Sequence, residues 1–300
     1  QMVSRQQLLR MFASGLLAAG RVVGPHRAAR LGIALSRHVP LAPRIDMGRL
    51  RENLRLLFPD EDPRRLEAAA RGIRTKAVRA KLFDKYFLPN VSTRRLERLC
   101  RWVGDDALQA ALEHRRGVVV VSLHYGRYWA MPIWLSRRGA RVLAFQAGEG
   151  KLPEPEKTLS GGTLGASDLG APLRAVRGLR SGAVICLQLD AGRVPKPIVV
   201  DFLGHPTRFA ATAVSLARAG DALLVGLIAA EDPDDPAVIH VTSHVAIDPR
   251  ELPADEPPEM TMRRLLEPFE AVVRADPSQW YGALNAHRRL AAALDTPDVE

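Results

Sequence analysis

The chain has 300 residues, 47% hydrophobic and 25% charged, with 43 Lys and Arg against 33 Asp and Glu, a formal net charge of +10. That composition supports a soluble globular chain with a sizeable core, and its two cysteines, Cys100 and Cys186, lack metal or redox spacing and exclude a disulfide framework. The surplus of cations points to an anionic partner, such as phospholipid headgroups, an acidic carrier protein, a nucleotide thioester or RNA.

Residues 11–20 form an uncharged run between Arg10 and Arg21, about half of the roughly 20 apolar residues that a bilayer span needs. As a helix it lines up Leu9, Phe12, Leu16, Ala19 and Val23 among arginines, a stripe that suits either a membrane surface or the face of its own domain. Taken instead as the core of a signal peptide, the run is weakly apolar and continues without a break into further helical sequence. Residues 47–58 put Leu50, Leu54, Leu57 and Phe58 on one helix face before Pro59 ends it, and Asp62-Pro63 opens a longer helix through about residue 88.

From residue 117 strands and helices alternate. The pattern predicts strands near 117–122, 141–145, 183–189, 197–202, 223–229 and 238–244, and helices near 127–137, 170–180, 208–219 and 260–275. Such alternation predicts an α/β fold with a mostly parallel central sheet flanked by helices, here preceded by a helical N-terminal extension. The expected division is a helical extension over 1–100 packed on an α/β domain over 101–300, together one compact unit. Residues 147–168 read as a long irregular loop, which in a compact domain is a lid, a binding loop or disordered.

The run GVVVVSLHYGRYW (117–129) ends a buried strand on a histidine immediately before a helix, at the rim where α/β sheets open their crevice, so His124 is the leading catalytic candidate. Asp190 closes the apolar strand of GAVICLQLDAG on the same rim, and Gln188, two residues earlier, shares a strand face with it and can donate an amide hydrogen bond. Arg127, at the expected helix start, is placed to meet a phosphate or carboxylate. In FLGHPTRFA, His205, Thr207 and Arg208 fall at the predicted start of the next helix, where an anionic headgroup would be held. SGGTLGAS (160–167) lacks a P-loop lysine and reads as a linker or a weak phosphate wrap, and His287, Arg288 and Arg289 read as a basic brace for the fold or an anion-facing patch. No metal-ligand spacing and no Gly-x-Ser-x-Gly elbow occurs, so neither a metal nor another cofactor is expected and direct transfer without a covalent enzyme intermediate is the simpler chemistry.

Taken in order, NLRLLFPD (53–60), GVVVVSLHYGRYW, GAVICLQLDAG, VVDFLGHPTRFAATAVSLARAGDALLVGLI and FEAVVRADPSQWYGALNAHRR resemble the late acyltransferases of lipid A biosynthesis, a group that includes the phosphatidylinositol mannoside acyltransferases. The resemblance implies an acyl-CoA or acyl carrier protein donor, a lipid or glycolipid acceptor at the inner face of the cytoplasmic membrane, and His124 as general base. In that family a carboxylate stands five residues after the histidine; here the position is Trp129. The resemblance also implies an aspartate at position 190, the leading candidate to stand in for the missing acid, whereas Gln146 and Glu149 occupy the neighbourhood where the family often has an arginine; Glu149 is either a solvated loop residue or, folded back over the rim, a second replacement for that acid.

The reading favoured by these residues is an acyltransferase, cytoplasmic or peripheral on the membrane. Two alternatives remain open: a soluble transferase with an aminoacyl-tRNA or other activated acyl donor, drawn by charge, and a non-catalytic relative that binds a lipid or partner, with Trp129 filling the pocket.

Overall fold

In the computed structural model, residues 5–36, 45–79, 88–103, 106–146, 159–165, 169–190 and 197–290 are described. A seven-stranded sheet organises them, with β1 (Cys100–Val103), β2 (Val118–Ser122), β3 (Val142–Gln146), β4 (Gly162–Gly165), β5 (Val184–Gln188), β8 (Leu223–Glu231) and β9 (Ile239–Ile247) in the order β1-β9-β8-β2-β5-β3-β4. The five strands from β8 to β4 are mutually parallel, while β9 returns antiparallel to β8 and carries β1 alongside it. The expected α/β class with a mostly parallel sheet is therefore present. The antiparallel edge arises because β8 and β9 are joined by a short turn, a connection open only to antiparallel neighbours.

β2 lies near the middle of the sheet and is buried over its whole length, which is why Val118 to Val121 read as an unbroken apolar run. Its valines divide by parity. Val119 and Val121 face the layer of α3 (Met47–Leu57), α4 (Pro63–Arg79), α8 (Ala171–Arg180), α9 (Thr212–Gly220) and α10 (Pro258–Ala275). Val118 and Val120 face α5 (Thr93–Leu99), α6 (Asp106–Glu113) and α7 (Ala130–Arg137), with Leu16 of α1 (Arg5–Val23) and Ile33 of α2 (Pro25–Ser36) in the same cluster. Leu50, Leu54, Leu57 and Phe58 all join the first layer, so the apolar face read from the sequence is the one buried. Among the described residues no helix is long and apolar enough to cross a membrane.

Three local expectations need correction. The helix after His124 starts at Ala130 and not at residue 127, because residues 125–129 turn back under the rim with Gly126 at φ +55°. The helix expected over 208–219 starts only at Thr212. Residues before it form a two-stranded antiparallel ribbon, β6 (Pro197–Phe202) with β7 (His205–Ala210), closed by Leu203 and Gly204 at positive φ. His205, Thr207 and Arg208 thus sit on a strand, not at a helix N-terminus. Alternation of buried Ile198, Val200 and Phe202 with outward-facing Pro197, Val199 and Asp201 in β6 marks a half-buried ribbon, and the pairing of β7 with it overrides the helical reading. Finally, part of the SGGTLGAS segment is the edge strand β4, hydrogen-bonded to β3.

Candidate active site

β2 and β5 are neighbouring parallel strands with Ser122 opposite Gln188. Continuing two residues beyond each partner brings His124 and Asp190 side by side at the carboxyl end of the sheet. The His124 ring Nδ1 lies 2.8 Å from Asp190 Oδ1, and the His124 amide donates to the same oxygen at 2.8 Å. The other oxygen, Oδ2, accepts from the Trp280 indole Nε1 at 2.9 Å. Asp190 is fully buried whereas the His124 side chain is 31% exposed, so the acid is sealed and the base faces outward.

Burial by itself pushes the Asp190 carboxyl up. The charge and hydrogen bond of His124, the nearby Arg289 guanidinium and the His124 amide outweigh it and hold the group at about 2. An ionised carboxylate only accepts hydrogen bonds, so Nδ1 carries the imidazole proton toward Asp190 and Nε2 presents its lone pair to the open side.

Segment 276–290 forms the back wall. Its chain runs antiparallel beside the turn after His124, with Tyr125 bridged to Trp280, the Gly126 amide donating to Gln279 O at 2.8 Å, and the Tyr281 amide donating to His124 O at 2.7 Å. The helical N-terminal part clamps this wall from behind: Asn53 donates to Ala283 O at 2.7 Å, and Lys76 reaches Ser278 Oγ at 2.6 Å. Phe202 on the ribbon stacks edge-on against Trp280 with ring centroids 5.6 Å apart. Helices α3 and α4, the ribbon and the C-terminal segment together set the orientation of one indole N–H.

Gly282 is fitted so closely that a Cβ there would lie 2.4 Å from Asp190 Oδ2 and 2.3 Å from Trp280 Nε1. Gly282→Ala is therefore expected to cost about 1–3 kcal/mol by overpacking and to shift the indole. Denaturant unfolding with tryptophan fluorescence measures both, and an alanine variant as stable as wild type with an unchanged spectrum would show that the turn has room.

The remaining sequence candidates are distributed as follows. Trp129, in the position of the family acid, is half-buried with its ring 5.8 Å from Tyr128, whose ring stands edge-on to His124 at 4.9 Å. Tyr281 lies 6.2 Å from Tyr128 and completes an aromatic wall beside the base. Gln188 ends β5 and is half-buried next to the rim. Arg127 is turned inward and fully buried, with Nη1 3.7 Å from Glu231 Oε1 and 3.3 Å from Pro236 O, so its charge meets an internal carboxylate. Gln146 ends β3 and Glu149 lies outside the described residues. His205 and Arg208 are on β7, where the Arg208 amide donates to Arg289 O at 2.8 Å. Among the described residues no group of three or more His, Cys, Asp or Glu is arranged to hold a metal ion.

Sequence reasoning did not single out Trp280, Gly282, Tyr128 or Tyr281, and treated Arg289 as part of a basic patch. The aromatic-glycine run Trp280-Tyr281-Gly282 directly after a helix was the available signal, but its partner lies 90 residues earlier in the chain.

Residues 168–289 match the family described as bacterial lipid A biosynthesis acyltransferase. No curated protein matches the chain in sequence. Among solved structures, the 1-acyl-sn-glycerophosphate (LPA) acyltransferase PlsC from Thermotoga maritima is 13% identical, with 91% of this chain and 96% of that chain covered and a TM-score of 0.41. The matched segment contains Asp190, Trp280 and Arg289, and His124 precedes it.

Proposed function

We propose that this protein transfers an acyl group from acyl-CoA or acyl carrier protein to a hydroxyl or amine of a lipid or glycolipid, with His124 as general base and Asp190 as the group that orients it. The observation that carries the reading is the 2.8 Å contact between a sealed, ionised carboxylate and an outward-facing imidazole. His124 Nε2 takes the acceptor proton as the acceptor oxygen or nitrogen bonds to the thioester carbonyl carbon. The tetrahedral adduct then collapses, the carbon–sulfur bond breaks, and the departing thiolate takes that proton back from the imidazolium. Asp190 holds the tautomer and offsets the positive charge on the ring between the two steps.

In this reading the acid that the family motif carries five residues after the histidine is supplied instead from the end of β5, and Trp129 joins the aromatic wall against which an acceptor would rest. A membrane-borne acceptor suits the exposed apolar side chains Met11, Val22, Leu31 and Leu35 on α1 and α2 and the chain's surplus of cations.

The test is donor consumption by purified wild type and His124→Ala over acyl-CoAs, acyl carrier proteins and aminoacyl-tRNAs, with lipid and amine acceptors. An acyl thioester consumed with a His124 dependence of roughly 100-fold or more is the expected result. Consumption of aminoacyl-tRNA alone would replace the donor class, and a rate unaffected by His124→Ala with every donor would overturn the proposal.

A further inference from the structure

We propose that Arg289 is a positioning residue for the His124–Asp190 pair, its buried guanidinium lying against the Trp280 ring and steadying the indole that donates to Asp190. Three observations carry this inference. The Arg289 Cζ stands 5.3 Å from the Trp280 ring centroid. Nη2 donates to Gly282 O at 2.7 Å, the residue packed against Asp190 Oδ2. Nε and Nη1 are buried and make no hydrogen bond among the described residues, although the residue is only 2% exposed.

A guanidinium desolvated with most of its donors unused is expensive, and an apolar side chain of the same length would fill the space at lower cost. What the cation supplies is charge beside an acid. Burial draws its own pKa down and the Asp190 carboxylate opposes that, while Asp190 in turn is held low in part by Arg289. The indole face between them is the preferred resting place for such a cation. Among the described residues His124 and Arg289 are the charged groups that act on Asp190, while His287 and Arg288 neighbour Arg289 in sequence and His205 and Arg208 lie on β7, which pairs with the end of this segment.

The main chain fits the same purpose. The Arg289 carbonyl accepts from the Arg208 amide and Thr207 bridges Leu290, so the ribbon fixes the residue that carries the cation. The basic close of the sequence is thereby divided: His287 lies within 3.4 Å of Asn53 and Arg49, while Arg289 alone turns in toward the acid.

The inference rests on the proposed catalytic pair but is tested without a substrate. Carbon-13 NMR of the Asp190 carboxyl and proton NMR of the Trp280 indole and Arg289 Nε–H groups, followed against pH, are read in wild type, Arg289→Lys, Arg289→Gln and Arg289→Met. In wild type the two N–H resonances are expected to move with the Asp190 titration. Lysine keeps the charge and leaves the Asp190 midpoint near its wild-type value; glutamine, which keeps a donor for Gly282 O, and methionine raise it by about one unit, a tenfold change in proton affinity. The acidic limb of His124-dependent donor consumption moves upward in the two uncharged variants and holds in Arg289→Lys. A folded Arg289→Gln or Arg289→Met with an unshifted Asp190 midpoint overturns the inference. So does a wild-type Arg289 resonance that ignores the Asp190 titration, a reading that needs no variant to fold. Shifted resonances in a protein that consumes no donor would instead overturn the transferase reading and leave the role of Arg289 standing.

Discussion

Asp190→Asn is expected to lower His124-dependent transfer by about 10,000-fold, the scale seen when an orienting carboxylate is replaced by its amide and the wrong tautomer results. All three hydrogen bonds to Asp190 come from donors: the His124 ring, the His124 amide and the Trp280 indole. A carboxylate accepts all three, but an asparagine has one accepting end. If its oxygen faces His124, its NH2 meets the indole N–H; if its oxygen faces Trp280, its NH2 confronts the His124 amide and drives the ring proton to Nε2, the atom that must accept. Steady-state rates of wild type and variant decide the matter, and a loss below tenfold would mean that His124 does not depend on this acid.

The same substitution has a stability signature with a defined pH window. Asp190 is held at about 2 against an ordinary 3.8. A depressed carboxyl stabilises the folded chain fully above its unfolded value, and the contribution fades as the pH falls through the folded one. About 2 kcal/mol is therefore present above roughly pH 4 and lost toward pH 2. Asp190→Asn should be less stable than wild type at neutral pH, with the gap closing in acid.

Arg127→Met is expected to cost about 3–5 kcal/mol of folding stability, because it strips Glu231 of the guanidinium that faces it in the interior. Both side chains are almost completely buried, at 0% and 3% exposure. The effect reaches the site through the main chain. The Arg127 amide donates to Ala229 O at 2.7 Å, the adjoining Gly126 amide to Gln279 O, and the Glu231 amide to Gln279 Oε1 at 2.8 Å. Gly126 itself leaves no space for a side chain, since a Cβ would stand 2.3 Å from Ala229 O. This lattice holds the turn that follows His124, so activity should fall together with stability. Arg127→Met/Glu231→Gln, which removes both charges, should recover most of the loss. Urea unfolding of Arg127→Met, Glu231→Gln and the double variant measures the coupling, and equal stability of Arg127→Met and wild type would show that the pair contributes nothing net.

Local pattern made much of this legible in advance. The four valines of β2 and the apolar run of β5 are each written in consecutive residues and lie where the pattern indicates, with His124 and Asp190 two residues beyond the strand ends. The apolar face of α3 follows from 3.6-residue periodicity in the same way, and α10 covers the 260–275 stretch expected to be helical. Where local preference and pairing compete, the pattern misleads: residues 205–210 read as the beginning of a helix until β6 is beside them to supply hydrogen-bond partners. Arg127 illustrates a second limit, since a charge after a strand end is equally consistent with a ligand contact and an internal ion pair, and Glu231, 104 residues later, decides which.

By itself, then, the amino-acid sequence determined the α/β class, the central strands and the rim on which a histidine and an aspartate end, because periodicity and strand termination are set by neighbours in the chain. Only the tertiary structure decided that the two groups meet, that Trp280 holds the second carboxylate oxygen and that Arg289 is drawn inward. Strand register brings residues 66 positions apart to 2.8 Å, and the packing of the C-terminal segment against β6, α3 and α4 selects which donor reaches the acid. Both are properties of long-range closure, which no short stretch of sequence encodes.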